Sequence, residues 1–529
     1  MDVDDDESLQ FRVRPSRRVV LREQGDKYFK QLRDMYDEEH VLNDAEFQEK
    51  FVDILPSHWT VCSITMDVDN NELYLVRLRC KEEPIVVKLS LTRMQDRLAD
   101  QPVPDYHGAV ETLGSIIAAS DQTIQDGKTC TRKRDVDAWW SKRTQLDHQL
   151  KKLLKAMEHG WFGAFKGFLS GSCQEHPKAL QDFYGSVNQL IYNAVYQKPL
   201  DSQQVTRKHV DISKAICSLF LRLGSDPSSI EIEDALYFFL SCYEAHDIGV
   251  NYAQMNIGEM SDRFRDLVQN YHMTAEAAGI HSMESVSNEH VILIPDRYTH
   301  LFPLESMDVL RSQSVSRVPC LSFVRDRIFQ ATAKHAEQKD WQDITVNGQS
   351  VYYLLNPAGD LLRTQREFES TFKKMDGWQG VVNQKPLELR WDQILQNHDI
   401  YMYFGHSAGQ SIIRGSKIRH LRNGPVAILM GCSSGSLISQ GEFDPDGYIM
   451  NFLLGGSPAV VANLWDVTDK SIDKLSRTMM ENWGLLHTSS TRKMTLTEAV
   501  AKSRNSCRLP YLIGAAPVVY GIPVHVHHR

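Results

Sequence analysis

The sequence predicts an α/β protein with a layered, mostly parallel sheet, preceded by a second α/β block that carries an α-helical insertion. Three observations point there. Residues 59–89 read as three short strands, and residues 105–285 read mainly as helices. From about residue 286, short apolar runs alternate with longer helical or polar connections. Continuous apolar runs of this length mark parallel strands buried on both faces, because crossover helices cover the sheet. On this reading the chain divides into a charged arm and helix (1–50), a first unit (51–285) whose insertion spans about 105–285, and a second unit (286–529).

The first 40 or so residues join an acidic run, Met1-Asp2-Val3-Asp4-Asp5-Asp6-Glu7, to a basic one with Arg12, Arg14, Arg17, Arg18 and Arg22. Such runs are usually solvated arms. A helical pattern leads into Ile54-Leu55-Pro56. Residues 59–64 and 73–78 read as strands joined by a turn at Asp67, Asp69, Asn70 and Asn71, and residues 84–89 as a third. In the helical region, Trp140, Leu146, Leu150, Leu153, Leu154, Met157 and Trp161 form a core-packing stripe at helical spacing. Residues 120–137 are polar and hold Gly127 and Arg132-Lys133-Arg134, which reads as an exposed loop. The apolar runs of the second unit are 290–294, 351–355, 400–404, 426–430 and 459–464.

Composition narrows the function classes. A chain of 529 residues, 42% hydrophobic and 24% charged, is long enough for several folded domains and unlike a disordered scaffold. Its net charge of −9 argues against a nucleic-acid partner. No run approaches 18 apolar residues, and the acidic start is the opposite of a secretory leader, so no membrane partner is expected. Nine cysteines without a Cys-x-x-Cys pair fit a reducing, intracellular compartment. Neither phosphate-binding glycine motif occurs, so no cofactor is predicted. The closing His525-Val526-His527-His528 has metal-ligand chemistry but reads as a frayed tail, so no metal is predicted either.

Ligands of open α/β sheets bind beyond the carboxyl ends of the strands. Run 400–404 is followed by Gly405-His406-Ser407-Ala408-Gly409, run 426–430 by Gly431-Cys432-Ser433-Ser434-Gly435, and run 459–464 by Trp465-Asp466-Val467-Thr468-Asp469. If these strands are neighbours, a His, a Cys and an acid converge on one crevice. A thiolate is a nucleophile, an imidazole can take its proton and return it to a leaving amine, and turn N–H groups suit an oxyanion hole. A rival reading stays open. Gly405-His406-Ser407-Ala408-Gly409 matches the Gly-x-Ser-x-Gly elbow of serine hydrolases, with Ser407 as nucleophile, Asp466 as acid and His525 or His527 as base. The elbow requires a helix directly afterwards, and Gln410-Ser411-Ile412-Ile413-Arg414-Gly415 is poor helix.

Residues 403–409 (Tyr-Phe-Gly-His-Ser-Ala-Gly), 430–435 (Met-Gly-Cys-Ser-Ser-Gly) and 463–473 (Asn-Leu-Trp-Asp-Val-Thr-Asp-Lys-Ser-Ile-Asp) resemble the separases, the cohesin-cleaving endopeptidases. So do Leu-Phe-Pro-Leu-Glu-Ser-Met (301–307), Ser-Val-Ser-Arg-Val-Pro (314–319), residues 511–524, Leu-Pro-Ser-His-Trp-Thr-Val (55–61) and Trp-Phe-Gly-Ala-Phe-Lys-Gly (161–167). The resemblance implies a caspase-like cysteine protease fold, with a preceding caspase-like unit that lacks the dyad. It implies His406 as general base and acid, Cys432 as nucleophile, and the backbone N–H groups of Ser407 and Cys432 as oxyanion donors. It implies cleavage after Arg in acid-x-x-Arg sites, with Asp473 answering the guanidinium. Asp466 competes for that role, Trp465 would wall the pocket, and Asp469 is a further acid of the motif. For these acids the plainer role is capping the following helix. Implied partners are a securin-like inhibitory chaperone, a cohesin kleisin substrate and, given the short chain, a separate helical N-terminal polypeptide. The implied location is cytoplasmic and nuclear, on the spindle or chromosomes in mitosis. The family usually has Gly after the His and Trp between the Pro and Glu of the 301–307 motif, where this chain has Ser407 and Leu304. The first departure supports an alternative, an interaction protein on a dead protease fold.

Overall fold

Side-chain alternation along the strands builds a sheet with a core on each face. In the strand Ile400–Phe404, Ile400, Met402 and Phe404 enter one core while Tyr401 and Tyr403 enter the other. The computed structural model describes residues 42–95, 103–127, 131–171, 175–196, 207–280, 289–334, 343–386, 391–486 and 494–528. The charged arm of the first 40 residues lies outside them.

β1 (Trp59–Asp67), β2 (Glu72–Leu78) and β3 (Ile85–Ser90) form an antiparallel meander. β1 pairs in parallel with β4 (His290–Pro295), and β4 with β5 (Ser314–Arg317). β6 (Ile344–Asn347) stands outside this sheet. β7 (Val351–Leu355), β8 (Gln379–Val382), β9 (Ile400–Phe404) and β10 (Val426–Leu429) are parallel neighbours in the order 8-7-9-10. A hairpin of β11 (Ile438–Gln440) and β12 (Phe443–Asp446) comes next. β13 (Ala459–Asn463) lies parallel to β10 and antiparallel to β14 (Pro517–Gly521), which meets β5. β15 (Val524–His527) pairs with β6. The strands before and after the helical region therefore share one eleven-stranded sheet, ordered 3-2-1-4-5-14-13-10-9-7-8. It is the mixed α/β, mostly parallel architecture that the apolar runs predict.

On one face lie the helical insertion, α4 (Leu362–Phe372) and α5 (Asp469–Trp483); on the other lie helices such as Leu321–Lys334 and Tyr448–Leu454. The insertion contains α1 (Tyr106–Asp126), α2 (Lys133–Met157) and α3 (Lys214–Leu221). The stripe from Leu146 to Met157 is buried, as its spacing predicts. The loop expected over 120–137 is instead the end of α1 and the start of α2, with residues 128–130 outside the description. Polar residues hold this helix pair together. The Trp139 indole donates to Thr123 O (2.6 Å) and buried Arg143 donates to Thr123 Oγ1 (2.8 Å). The C-terminal histidines are not frayed either: β15 continues to His527, and His528 bonds Gly484 O at 2.7 Å. Among the described residues no cluster of His, Cys, Asp and Glu fits a metal ion, and no helix is long and apolar enough to cross a membrane.

The two parts of the sheet meet where β5 and β14 share the single register pair Arg317↔Tyr520. There the buried Arg317 guanidinium grips Glu305, with Nε 2.6 Å from Oε1, and also donates to His300 O (2.7 Å) and Phe302 O (3.0 Å). Burial alone would raise the Glu305 carboxyl, but the Arg317 charge and hydrogen bonds hold it below its ordinary value. Removing one partner strands a buried charge, so Glu305→Ala should cost about 3–5 kcal/mol. Urea unfolding followed by circular dichroism measures it, and an unchanged midpoint refutes it. Because the folded carboxyl is depressed, the pair's contribution is present above the unfolded carboxyl's ordinary value and is lost as pH falls through the folded one.

Candidate active site

Since β9, β10 and β13 are parallel neighbours, the segments carrying His406, Cys432 and Asp466 leave the sheet from the same edge. The first two turns touch. A Cβ on Gly431 would stand 1.8 Å from Ser407 O, so only glycine permits this approach. The Cys432 turn is also tied to β13. The Asn463 amide donates to Gly431 O (3.0 Å), Ser434 Oγ bridges Leu429 O (2.6 Å) and Asn463 N (3.0 Å), and Gly435 N donates to Asn463 O (2.8 Å).

His406 and Cys432 line one narrow cleft together with Thr364, Asp469 and Asp473. Its volume of about 20 Å³ is room for little more than a water. The exposed His406 ring places Nε2 2.8 Å from Asp360 Oδ2. Asp360 comes after β7, next to β9, and the preceding turn is held by Asn356, whose N–H donates to Phe404 O (2.8 Å) and whose side chain accepts from Leu361 N (2.8 Å). Asp360 is not among the residues singled out from the sequence, although it lies beyond the end of apolar run 351–355, as His406 lies beyond 400–404. Cys432 Sγ is half-buried and lies 3.4 Å from Val467 O. Burial pushes this thiol above its ordinary value. The Val467 contact offsets part of that, and Asp466, Asp469 and the insertion's Asp121 add to it.

Asp473 lies on α5 at 4% exposure, its Oδ2 accepting from Thr364 Oγ1 of α4 at 2.9 Å. Burial pushes its carboxyl up to about 7. Asp469 opens α5 and is exposed; Thr468 is the N-cap residue, without a side-chain cap bond. Asp466 accepts from Ser433 Oγ (2.6 Å) and does not line the cleft. Trp465 is also outside it: the indole is buried at 4% exposure and donates to Leu512 O (2.8 Å). Ser407 sits beside His406 at φ +53°, in the left-handed region that a glycine tolerates at no cost. No helix starts directly after it; the next is Gly415–Arg419. His525, the first base of the serine-hydrolase reading, is 3.3 Å from Asp343, and neither it nor His527 lines the cleft.

With this geometry in hand, the chain compares closely with one family. The family model described as separin, protease domain, matches residues 68–472. The chain is 33% identical over 485 residues to the separin of Schizosaccharomyces pombe, covering 91% of this chain and 25% of the relative. It is 30% identical over 495 residues to that of Saccharomyces cerevisiae, covering 89% and 29%. The crystal structure of the Saccharomyces cerevisiae separase–securin complex superposes with a TM-score of 0.77 at 27% identity, over 91% of this chain and 31% of that one. The chain spans about a quarter of the length of the curated relatives it matches.

The burial of Cys432, together with its acidic surroundings, predicts slow alkylation at neutral pH. Its reaction with iodoacetamide, followed by mass spectrometry, should rise with the thiolate only above the ordinary thiol range, and Asp466→Asn should shift that rise to lower pH. A pH profile unmoved by Asp466→Asn contradicts this electrostatic picture.

Proposed function

Because the chain belongs to the separin family of proteases, we propose that it is a cysteine endopeptidase cutting after Arg in acid-x-x-Arg sites. The observation that carries the proposal is the adjacency of β9 and β10, which sets His406 and Cys432 on one cleft with a buried carboxylate, Asp473. With Nε2–H donated to Asp360, the imidazole keeps Nδ1 as the basic nitrogen. Nδ1 takes the thiol proton as Cys432 Sγ attacks the scissile carbonyl carbon. The oxyanion is met by the N–H groups of Ser407 and Cys432. The tetrahedral adduct collapses, the imidazolium protonates the leaving amine, and water then hydrolyses the thioester with His406 again as base.

Asp473 answers the substrate guanidinium with paired, charge-assisted hydrogen bonds. Entry breaks the Thr364–Asp473 bond and opens a cleft now too small for an arginine. On this reading residues 51–285 form a unit without the dyad that buttresses the catalytic unit, 286–529. The substrate is a cohesin kleisin. A securin-like chaperone occupies the cleft as a pseudosubstrate, as suits a neighbour solved with securin. A helical N-terminal region or polypeptide completes the enzyme, which works in cytoplasm and nucleus.

Cys432→Ala should abolish cleavage of an acid-x-x-Arg peptide while Ser407→Ala keeps most of it; a Cys432→Ala chain that still cleaves refutes the dyad, and loss in Ser407→Ala revives the serine-hydrolase reading. Asp473→Ala should lower kcat/KM for Arg substrates by roughly 30- to 5,000-fold, through loss of a buried charge partner. The contribution of Asp473 to the stability of the free chain should fall as pH rises from about 4 toward 7 and its buried carboxyl ionises, and Asp473→Asn should remove that part of the pH dependence. Thermal unfolding across this range decides it.

A further inference from the structure

Between the first strands and the helical insertion lies a cavity of about 590 Å³ whose inner wall is cationic. Arg77 of β2, 2% exposed, donates through Nη1 to Phe168 O and Ser170 O, both at 2.6 Å. Its Nη2 is buried without a partner among the described residues. Arg222, 8% exposed, donates through Nη1 to Gly171 O, and its Nε is likewise unpartnered. Neither guanidinium meets a carboxylate among the described residues, and burial together with the Arg222 charge pushes Arg77 down to about 9. At the mouth, Arg79 pairs with Glu82 (2.6 Å) and leaves its own Nε unpartnered. α3 begins on the same wall: Ser213 precedes it without a side-chain cap bond, and Lys214 is exposed at its first position.

Two buried guanidiniums repel one another and leave hydrogen bonds unmade, a costly arrangement unless an anion completes it. We propose that this cavity binds a phosphorylated serine or threonine of a protein segment, with Arg77 and Arg222 on the phosphate oxygens and Lys214 and the first turn of α3 at its entrance. A phosphate monoester suits the wall better than a carboxylate does. Its charge approaches −2, against two buried cations, and it offers three acceptor oxygens to forked donors. The helix start adds N–H groups of favourable polarity. The cavity exceeds the size of a phosphate group, so flanking residues enter as well. Glu83 and Glu175 also line it, and these carboxylates select basic neighbours of the phosphorylated residue. The site is separate from the cleft of His406 and Cys432, and the proposal does not depend on proteolysis.

Calorimetric titration of the full chain at constant ionic strength tests it, using a Lys-Lys-phosphoSer-Pro-Lys peptide that lacks arginine and so avoids the Asp473 pocket. The phosphopeptide should bind about tenfold or more tightly than its unphosphorylated and Glu-substituted forms, with inorganic phosphate competing. Arg222→Gln should weaken it about tenfold or more. Lys214→Gln, an exposed change that leaves the fold intact, should weaken it about two- to fivefold. Circular dichroism of each variant establishes folding. Equal binding of the Glu-substituted peptide would replace the phosphate with a carboxylate ligand and overturn the proposal. So would inorganic phosphate binding as tightly as the phosphopeptide, or a folded Lys214→Gln and Arg222→Gln pair that bind like the parent chain.

Discussion

The Glu305–Arg317 ion pair sits at the narrowest point of the sheet, and the candidate site depends on it through very few contacts. Arg317 provides the single register pair between β5 and β14, and its guanidinium lies 5.9 Å from the centroid of the Tyr520 ring. Tyr520 in turn donates to Gly435 O (3.0 Å), within the turn that carries Cys432. Around the seam, Ser316 donates to Gly521 O (2.7 Å), and His290, pushed down to about 3 by burial and so neutral, bonds Ser314 and Ser316 at 2.9 Å each. A buried ion pair contributes little net stability, but its directional hydrogen bonds admit one register. That register places β13 and β10, and with them the turn that carries Cys432.

Where a signal was carried by burial, it was legible in the sequence. β4, β7, β9, β10 and β13 are runs with both faces covered, and each appears in the chain as continuous apolar letters. β5 was not legible as a strand, because Ser-Val-Ser-Arg spends its side chains on polar contacts across the seam. The end of α1 failed for the same reason: Thr123 and Arg143 are buried polar partners, and polarity in a sequence is read as exposure. Motifs 301–307 and 314–319, which carry much of the family resemblance, hold the two ends of the ion pair rather than any group of the cleft.

The same limit applies to the site. His406, Cys432 and Asp473 reach one cleft, as their places after strands and on the following helix imply. Asp360 escaped because it lies five residues beyond its strand, behind a turn that only the fold brings back to His406. Trp465 and Asp466 lie closer to a strand end than Asp473 does, yet they turn into the core and onto Ser433. Asp473 reaches the cleft because it stands one turn into α5, on the face that looks back at α4.

The position of β9, β10 and β13 inside the sheet governs how any peptide can be read. Each has both edges hydrogen-bonded to a neighbour, so a peptide cannot join them as an added strand. Under the proposed function the substrate runs across their ends, over loops, with its backbone held by turns and its side chains sampled by segments that belong to no regular element. Loops accept insertion and substitution far more readily than strands do. Under the proposed function, chemistry and sequence preference are thus carried by separable parts of the chain, and the preference can be altered without disturbing the strands that align His406 and Cys432.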